Sequence, residues 1–415
     1  MTDGAAVIAV GTEMLGPLRQ DTNSLWLAGR LEEIGIPLLR KSVVGDVPAA
    51  IARELDSASR AAPLVFMTGG LGPTADDVTV PAVAAWLGVP LRRDEDFLAR
   101  MRARFESRGI AMPAVNEKQA DFITGARALE NPRGSAPGFW AEREGIEIIL
   151  LPGVPSEMRE IMERRVLPEL RARAAGRVAR RRILRIGGMG ESAVEEMVAP
   201  VYARFPNHPV TILASPGEVQ LHLCIRGAPE EAQAVLEAME GEFRAVLGER
   251  IFGRDDEGLS ETVGRLLRDR GLTFSVAESC TGGMISTLLT DVAGSSDYFL
   301  GSVVSYADAA KAAFLDVAPD TLRRAGAVSE DVAREMAQGA RRRFGSDVAL
   351  AVTGIAGPGG GSAEKPVGTV FIGISGPRDA EVVKRRMFVG DRASVRRASS
   401  LYALELVRRR VVAAP

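Results

Sequence analysis

Apolar residues in the first 170 positions fall in short unbroken runs separated by stretches of helical spacing. AAVIAVG reads as a buried strand, TNSLWLAGRLEEIG as a helix, PLLRKSVVG as an extended segment and VPAAIARELDSASRA as an amphipathic helix. PLVFMTGG is a second buried strand ending in glycines, and IEIILLPGVPSEMREIMERRVLPEL supplies a strand, a Pro/Gly turn and a helix. Continuously apolar strands that alternate with helices predict a parallel sheet covered on both faces. The predicted first domain covers residues 1–170.

RARAAGRVARRRILR then places seven arginines in fifteen residues, at the edge of a second module. From there a strand (RILRIGG), a helix (ESAVEEMVAPVYARF), two strands (VTILASP, VQLHLCIRG) and a helix (PEEAQAVLEAMEGEFRAVLG) predict a small α+β unit over 171–253. The charged stretch FGRDDEGLS marks a second boundary, and 254–415 alternates strands and helices again. No fixed-period repeat is present.

A chain of 415 residues exceeds what one hydrophobic core serves, which agrees with three domains. Hydrophobic residues are 46% and charged residues 26%, no apolar run is long enough for a bilayer, and MTDGAAVIAVGTEM lacks the basic start and cleavage site of a secretory leader. These features predict a cytoplasmic protein with no membrane partner. Cys224 and Cys280 are too few for a disulfide framework, and with His208 and His222 as the only histidines any metal would sit on carboxylate oxygens. A net charge of −2 gives no bulk attraction for nucleic acid. Of the 52 basic residues only Lys41, Lys118, Lys311, Lys365 and Lys384 are lysine. Lysine, unlike arginine, loses its proton when desolvated, so a lysine inside a motif is a candidate base.

Three stretches of the third domain carry candidate chemistry. In TFSVAESCTGGMISTLLTDV a strand ends near Glu278 and a helix begins near Gly283, so Ser279 lies at the carboxyl end of a strand, where open α/β sheets place ligands. The N–H groups of Thr281, Gly282 and Gly283 are expected to face an anion or developing oxyanion, the alternative being an ordinary helix cap and turn. In GSVVSYADAAKAAFLDV, Tyr306 and Lys311 occupy a similar strand-to-helix junction. A serine hydroxyl needs a base, and a desolvated lysine can serve. Cys280 is the competing nucleophile and reads as a small buried residue. In VALAVTGIAGPGGGSAEKPVGTVFIGI the segment 354–361 holds five glycines in eight positions and leads to Lys365. Thr353, Gly354, Gly357, Gly359, Gly360 and Lys365 are the expected phosphate cradle, against the alternative of a plain hairpin connection. No Gly-Lys-Ser/Thr occurs, so this is not a Walker A loop.

AESCTGG, SYADAAK and TGIAGPGGGSAEKPVGTV resemble, in order, three signature stretches of the CinA C-terminal domain of the nicotinamide-nucleotide amidase type, over roughly 255–412. The resemblance implies hydrolysis of nicotinamide mononucleotide to nicotinate mononucleotide and ammonia, with Ser279 as nucleophile, Tyr306 and Lys311 as its activating partners, and no cofactor for the amidase.

In the first domain GDV and TGGLGPTADDVT put Asp46, Asp76 and Asp77 at strand ends beside a glycine loop, and LPGVPSEM adds Glu157 at a helix start. Such carboxylates suit Mg²⁺ or a similar divalent metal that engages phosphate, although a first-turn glutamate also serves as a dipole partner. Together with GTE, DTN, NEKQA and NPRGSAPGF these stretches resemble the molybdopterin-binding-type domain (MoaB/MogA-like) found at the CinA N-terminus, over about 4–170. That resemblance implies a metal-dependent ADP-ribose pyrophosphatase. GTEMLGP departs from the family pattern G-x-E-x-L-x-G by placing Gly16 one position early, before Pro17. GGMG at 187–190 fits a KH-type GxxG loop, but the glutamates of ESAVEEM follow where phosphates would lie. Full-length resemblance implies a KH-like spacer, nucleic acid is not expected as a partner, and a homodimer is. The rival readings are a pyrophosphatase whose third domain only binds nucleotide, and a nucleic-acid-associated scaffold.

Overall fold

The computed structural model describes residues 4–174, 176–377 and 381–413. Its contacts divide the chain into two compact units, Met1–Arg180 with Ile225–Gln233, and Arg181–Cys224 with Ala234–Pro415.

The first unit holds a six-stranded sheet in the order Leu38–Val44, Ala5–Val10, Leu64–Thr68, Ile146–Leu151, Gly138–Arg143, Arg127–Leu129. The first four strands run parallel, and the last two turn back as an antiparallel edge. The parallel strands are unbrokenly apolar because both of their faces are covered. Val7 and Phe66 enter one core cluster, while Ala6, Ile8 and Met67 enter the other. The antiparallel edge departs from the all-parallel expectation and comes from a two-residue turn. Glu144 and Gly145 have φ of 54° and 80°, the pair of positive values that a type I′ hairpin needs. All four parallel strands end at one edge. There Gly69 has φ of 106° and a Cβ on it would lie 2.1 Å from the Val10 carbonyl, so only glycine lets these strand ends approach.

In the middle segment a four-stranded sheet has the order Val210–Ser215, Glu218–Gly227, Val178–Gly187, Ile251–Arg254. The C-terminal sheet has five strands in the order Phe299–Val304, Phe274–Glu278, Val348–Gly354, Thr369–Ser375, Val382–Met387, the first three parallel and the last two antiparallel. One face buries Phe274, Val276, Leu350 and Ile372 with Val263 and Leu267 of helix Leu259–Asp269 and Leu404 and Val407 of helix Arg392–Ala413. The other buries Ala277, Ala349 and Ala351 against Val332, Met336 and Ala340 of helix Glu330–Phe344. That helix is specified at both ends. Ser329 Oγ accepts the Val332 N–H, acids fill the first turn, Arg341–Arg343 fill the last, and Gly345 closes it at φ of 64°. The three parallel strands stop in register, and this places the site.

Candidate active site and a carboxylate-lined cavity

Glu278 pairs with Val304 on one side and Val352 on the other, so Ser279, Ser305 and Thr353 follow side by side at the carboxyl edge of the sheet. Two bonds carry the register past the strand ends: Ser279 N–H donates to the Val352 carbonyl at 3.0 Å, and Ser305 N–H to the Glu278 carbonyl at 2.8 Å. Ser279 is 8% exposed, reachable from solvent yet mostly enclosed.

Glu278 was not among the expected site residues, and it organises the turn. Fully buried, its carboxylate accepts the N–H groups of Gly283 (2.9 Å), Ile285 (3.2 Å) and Ser286 (2.9 Å) and the Ser286 hydroxyl (2.6 Å). A buried charge is tolerable only when so bonded. This corrects the expected oxyanion donors. The Gly283 N–H belongs to Glu278 and the Gly282 N–H bonds the Ser279 carbonyl at 3.2 Å, so neither is available to a ligand. Among the described residues no backbone carbonyl takes the N–H of Cys280 or Thr281. The glycines are needed for shape, with φ of 59° at Gly282 and 93° at Gly283. The only sequence signal for Glu278 is a charged residue at the end of an apolar strand. We expect Glu278→Gln, which turns an NH₂ toward donors, to cost about 2–3 kcal/mol in urea unfolding; unchanged stability would remove Glu278 from this role.

Lys311, in helix Asp308–Leu315, is 1% exposed. Its Nζ donates to the carbonyls of Ser305 and Tyr306, both at 3.1 Å. Burial pushes its pKa below the ordinary lysine range, opposed by the Asp308 carboxylate at 3.7 Å. A neutral amine has two N–H bonds and one lone pair, so two carbonyls use its donors and leave the lone pair free. Tyr306 lies differently from the expectation of a direct partner. Its side chain is 61% exposed, and its hydroxyl accepts from Arg392 Nη2 at 3.0 Å. Cys280 is 5% exposed and burial pushes its thiol up to about 12, so it stays protonated and is no nucleophile at neutral pH. Neither histidine serves the site; His222 Nε2 pairs with Gln220 Oε1 at 2.9 Å.

In the glycine loop Thr353 Oγ1 donates to the Ala327 carbonyl at 2.8 Å, and Gly357 and Gly360 take φ of 82° and 86°. A Cβ on Gly354 would meet Val370 at 2.7 Å, so Gly354 serves strand packing. No acceptor among the described residues takes the N–H of Gly359 or Gly360. Lys365 does not stand free at the loop's end: its Nζ donates to the Ala325 carbonyl at 2.9 Å. Two arginines of helix Arg392–Ala413 reach the site instead. Arg392 Nη1 donates to the Gly357 carbonyl at 2.7 Å, and Arg396 Nη2 to the Thr281 carbonyl at 2.7 Å. Sequence reading missed both, because they lie over a hundred positions downstream of the serine turn in an arginine-rich chain.

In the first unit, Asp46, Asp76, Asp77 and Glu157 all line one cavity of about 630 Å³, with Arg19, Asp21, Asn23 and the Gly69–Gly72 turn. Asp46 Oδ2 accepts the N–H (2.7 Å) and hydroxyl (2.8 Å) of Thr12, and Asp77 Oδ2 the N–H (2.9 Å) and hydroxyl (2.6 Å) of Thr74. Hydrogen bonding to Thr74 holds the Asp76 carboxyl below the ordinary aspartate range. Glu157 Oε2 accepts from Asn131 Nδ2 at 2.6 Å, which ties it to the loop beginning at Asn131. Among the described residues no three acidic, histidine or cysteine side chains converge as a metal cage. Hard carboxylate oxygens nonetheless fit Mg²⁺, which is commonly held by one or two carboxylates and completed by substrate phosphates.

Three family descriptions cover almost the whole chain: a probable molybdopterin binding domain matches residues 6–172, the damage-inducible protein CinA KH domain 181–253, and the CinA C-terminal domain 256–411. A CinA-like protein of Koribacter versatilis is 43% identical over 413 residues, covering 98% of this chain and 100% of its own length. The chain belongs to the CinA family. Another CinA-like protein, from Solibacter usitatus, is 42% identical over 408 residues, 98% of each chain. A solved structure of the competence/damage inducible protein CihA from Agrobacterium tumefaciens is 41% identical and covers 37% of this chain and 96% of its own, with a TM-score of 0.35.

The CinA KH segment carries the GxxG sequence; its first glycine ends strand Val178–Gly187 and is packed against the terminal helix, while Gly188 and Gly190 are exposed. A Cβ on Gly187 would meet the Glu405 carboxyl carbon at 2.8 Å, and Arg409 Nη2 donates to the Gly187 carbonyl at 3.0 Å. Glu405 is itself buried and bonded to Arg408 Nε (2.6 Å) and Arg409 Nε (2.6 Å). The terminal helix of the CinA domain thus meets the end of this strand, and most of the KH segment falls in the same compact unit as the C-terminal domain. No helix among the described residues is long and apolar enough to cross a membrane.

Proposed function

We propose that this CinA-family chain is a nicotinamide-nucleotide amidase of the cytoplasm, acting on nicotinamide mononucleotide through Ser279. The observation that carries the reading is Lys311: a buried amine with its donors committed to two carbonyls, at the same sheet edge as an enclosed serine. Ser279 Oγ attacks the carboxamide carbon while its proton passes to the Lys311 amine, and the carbonyl electrons move onto oxygen. The Cys280 and Thr281 N–H groups are the donors for that oxyanion. Collapse breaks the C–N bond, the Lys311 ammonium protonates the departing nitrogen, and ammonia leaves a nicotinyl ester on Ser279. Water, deprotonated by the neutral amine, then cleaves the ester and Ser279 regains its proton. No cofactor enters these steps.

A second activity is favoured by the 630 Å³ cavity, whose carboxylates and Arg19 suit a pyrophosphate carrying a divalent metal. Asp46 and Asp77 would hold that metal with an oxygen each, and the metal would supply charge neutralisation at the phosphates. The substrate of this reading is ADP-ribose. Incubation with each substrate, with and without a chelator, separates the two. Ammonia release from nicotinamide mononucleotide is expected to be indifferent to chelator, and AMP release from ADP-ribose to be lost with it. No ammonia under any condition would overturn the amidase.

A further inference from the structure

The Lys311 amine and the Ser279 hydroxyl are not bonded to each other. Nζ is engaged by the Ser305 and Tyr306 carbonyls, and among the described residues no hydrogen bond joins it to Ser279. Proton transfer between the two therefore needs a group in between, and the sheet edge supplies one. Ser305 is fully buried, and its Oγ has no hydrogen-bond partner among the described residues. A hydroxyl so enclosed almost always has a partner, and one left without is a standing cost to the fold. The Ser305 backbone, by contrast, is fully employed: its N–H donates to the Glu278 carbonyl at 2.8 Å, and its carbonyl accepts from Lys311 Nζ at 3.1 Å. The side chain is the one part of Ser305 that the fold does not use.

Strand register places this hydroxyl beside the nucleophile. Ala277, Val303 and Ala351 share one layer of side chains with helix Glu330–Phe344. Side chains alternate along a strand, so Ser279, Ser305 and Thr353, each two positions further on, lie on that same face. The ladder bonds made by the Ser279 and Ser305 N–H groups keep the alternation intact, and Cys280, one position on from Ser279, falls in the cluster of the opposite face as alternation requires. Neighbouring strands lie about 4.8 Å apart, a spacing that two side-by-side hydroxyls bridge with one hydrogen bond. Lys311 reaches the same face from its helix, because Leu315, one helical turn on, packs into that layer. Of the two hydroxyls flanking Ser279, that of Thr353 is spent on the Ala327 carbonyl at 2.8 Å and that of Ser305 is free. Thr281 Oγ1 is also without a partner, but it belongs to the turn beyond the ladder.

We propose that the Ser305 hydroxyl relays the proton between Ser279 and Lys311. The proposal rests on the amidase reading and adds to it the group that couples nucleophile to base. As Ser279 Oγ bonds to the carboxamide carbon, its O–H bond breaks and the proton moves to Ser305 Oγ. The Ser305 proton moves at the same time onto the lone pair of the Lys311 amine, so Ser305 ends unchanged and Lys311 becomes the ammonium. The same path in reverse delivers a proton to the departing nitrogen.

The test measures kcat and KM for nicotinamide mononucleotide in wild type and Ser305→Ala, with urea unfolding of both. Alanine keeps both backbone bonds of Ser305 and removes a hydroxyl that bonds nothing in the fold, so the unfolding midpoint is expected to be equal or higher. A water entering the vacated space carries the proton less well than a fixed hydroxyl, so kcat is expected to fall at least about tenfold, with KM within about threefold of wild type. A smaller fall in kcat, or a loss carried by KM, overturns the relay. A lowered midpoint accompanying the loss assigns the hydroxyl a bond in the fold and overturns it as well. Should wild type release no ammonia, the amidase reading fails by itself. Phenylmethylsulfonyl fluoride then decides the relay, because the bond from Ser279 Oγ to sulfur forms, and fluoride leaves, only as the same proton is removed. Labelling of Ser279, read by peptide mass, at least about tenfold slower in Ser305→Ala supports the relay; a smaller difference, or no label on Ser279 in wild type, overturns it.

Discussion

Ser279→Ala is expected to reduce ammonia release from nicotinamide mononucleotide by more than about 10³-fold while leaving the protein folded. Stability should hold because the residue's structural bonds are made by its backbone. The Ser279 N–H goes to Val352 and its carbonyl takes the Gly282 N–H, and alanine keeps both. Removing one hydroxyl from a nearly buried position changes the fold energy by about 1 kcal/mol or less unless that hydroxyl is bonded. The chemistry leaves no substitute. The adjacent thiol of Cys280 is held protonated by burial, so it cannot take over, and Cys280→Ala should retain most of the turnover. Turnover by Ser279→Ala within tenfold of wild type, with an intact unfolding curve, would transfer the nucleophile's role elsewhere. Loss in both variants with intact folding would point to the turn's shape and not to the hydroxyl.

The strands that carry this site were legible because a strand buried on both faces is written as a continuous apolar run. AAVIAV, LVFMT and VALAVT are such runs, and each lies in the parallel part of its sheet. Glycine-rich strand ends pointed to Ser279 and to the four carboxylates that share one cavity, and Lys311 came from a strand-to-helix junction in a chain with few lysines. What local pattern could not give was the allocation of hydrogen bonds. Three consecutive N–H groups at a helix start look alike in sequence. Which of them stays open depends on the Glu278 carboxylate folding back over eight positions to reach Ser286. Distance along the chain hid the rest. Arg392 meets Tyr306 across 86 positions and Arg396 meets Thr281 across 115, and no periodicity encodes such pairings. Lys365 stood out as one of few lysines, but its ammonium was already claimed by the last carbonyl of helix Pro319–Ala325, forty positions earlier. The antiparallel edge of the first sheet was missed for a different reason: its turn is Glu-Gly, a less conspicuous signal than Asn-Gly or Asp-Gly.

Lys311→Met should cost about 10²–10⁴-fold in kcat/KM, the range of a positioned general base, and should also erase two pH dependences that share one origin. The first is kinetic. In the proposed mechanism only the neutral amine accepts the Ser279 proton, so kcat/KM is expected to rise with pH through the folded-state pKa of Lys311, which burial places below the ordinary range. The variant has no such rising limb. The second is in stability. Because the folded pKa is lowered, the unfolded chain binds the proton more tightly between that pKa and about 10.4, so unfolding free energy increases with pH across this window. Below the window the buried ammonium is charged in both states and the folded state carries its desolvation; above it the amine is neutral in both and the gain is complete. The groups that act on this amine are Asp308, which favours the charged form, and Cys280 and Tyr306 beside it. Methionine approximates the length of the side chain without a titrating group, so urea midpoints of the variant should lose this contribution to their pH slope. The two readouts must agree: a kinetic limb that disappears together with the matching slope in stability identifies the buried amine as the base. A limb that persists in Lys311→Met would assign the titration to another group and end the serine–lysine mechanism.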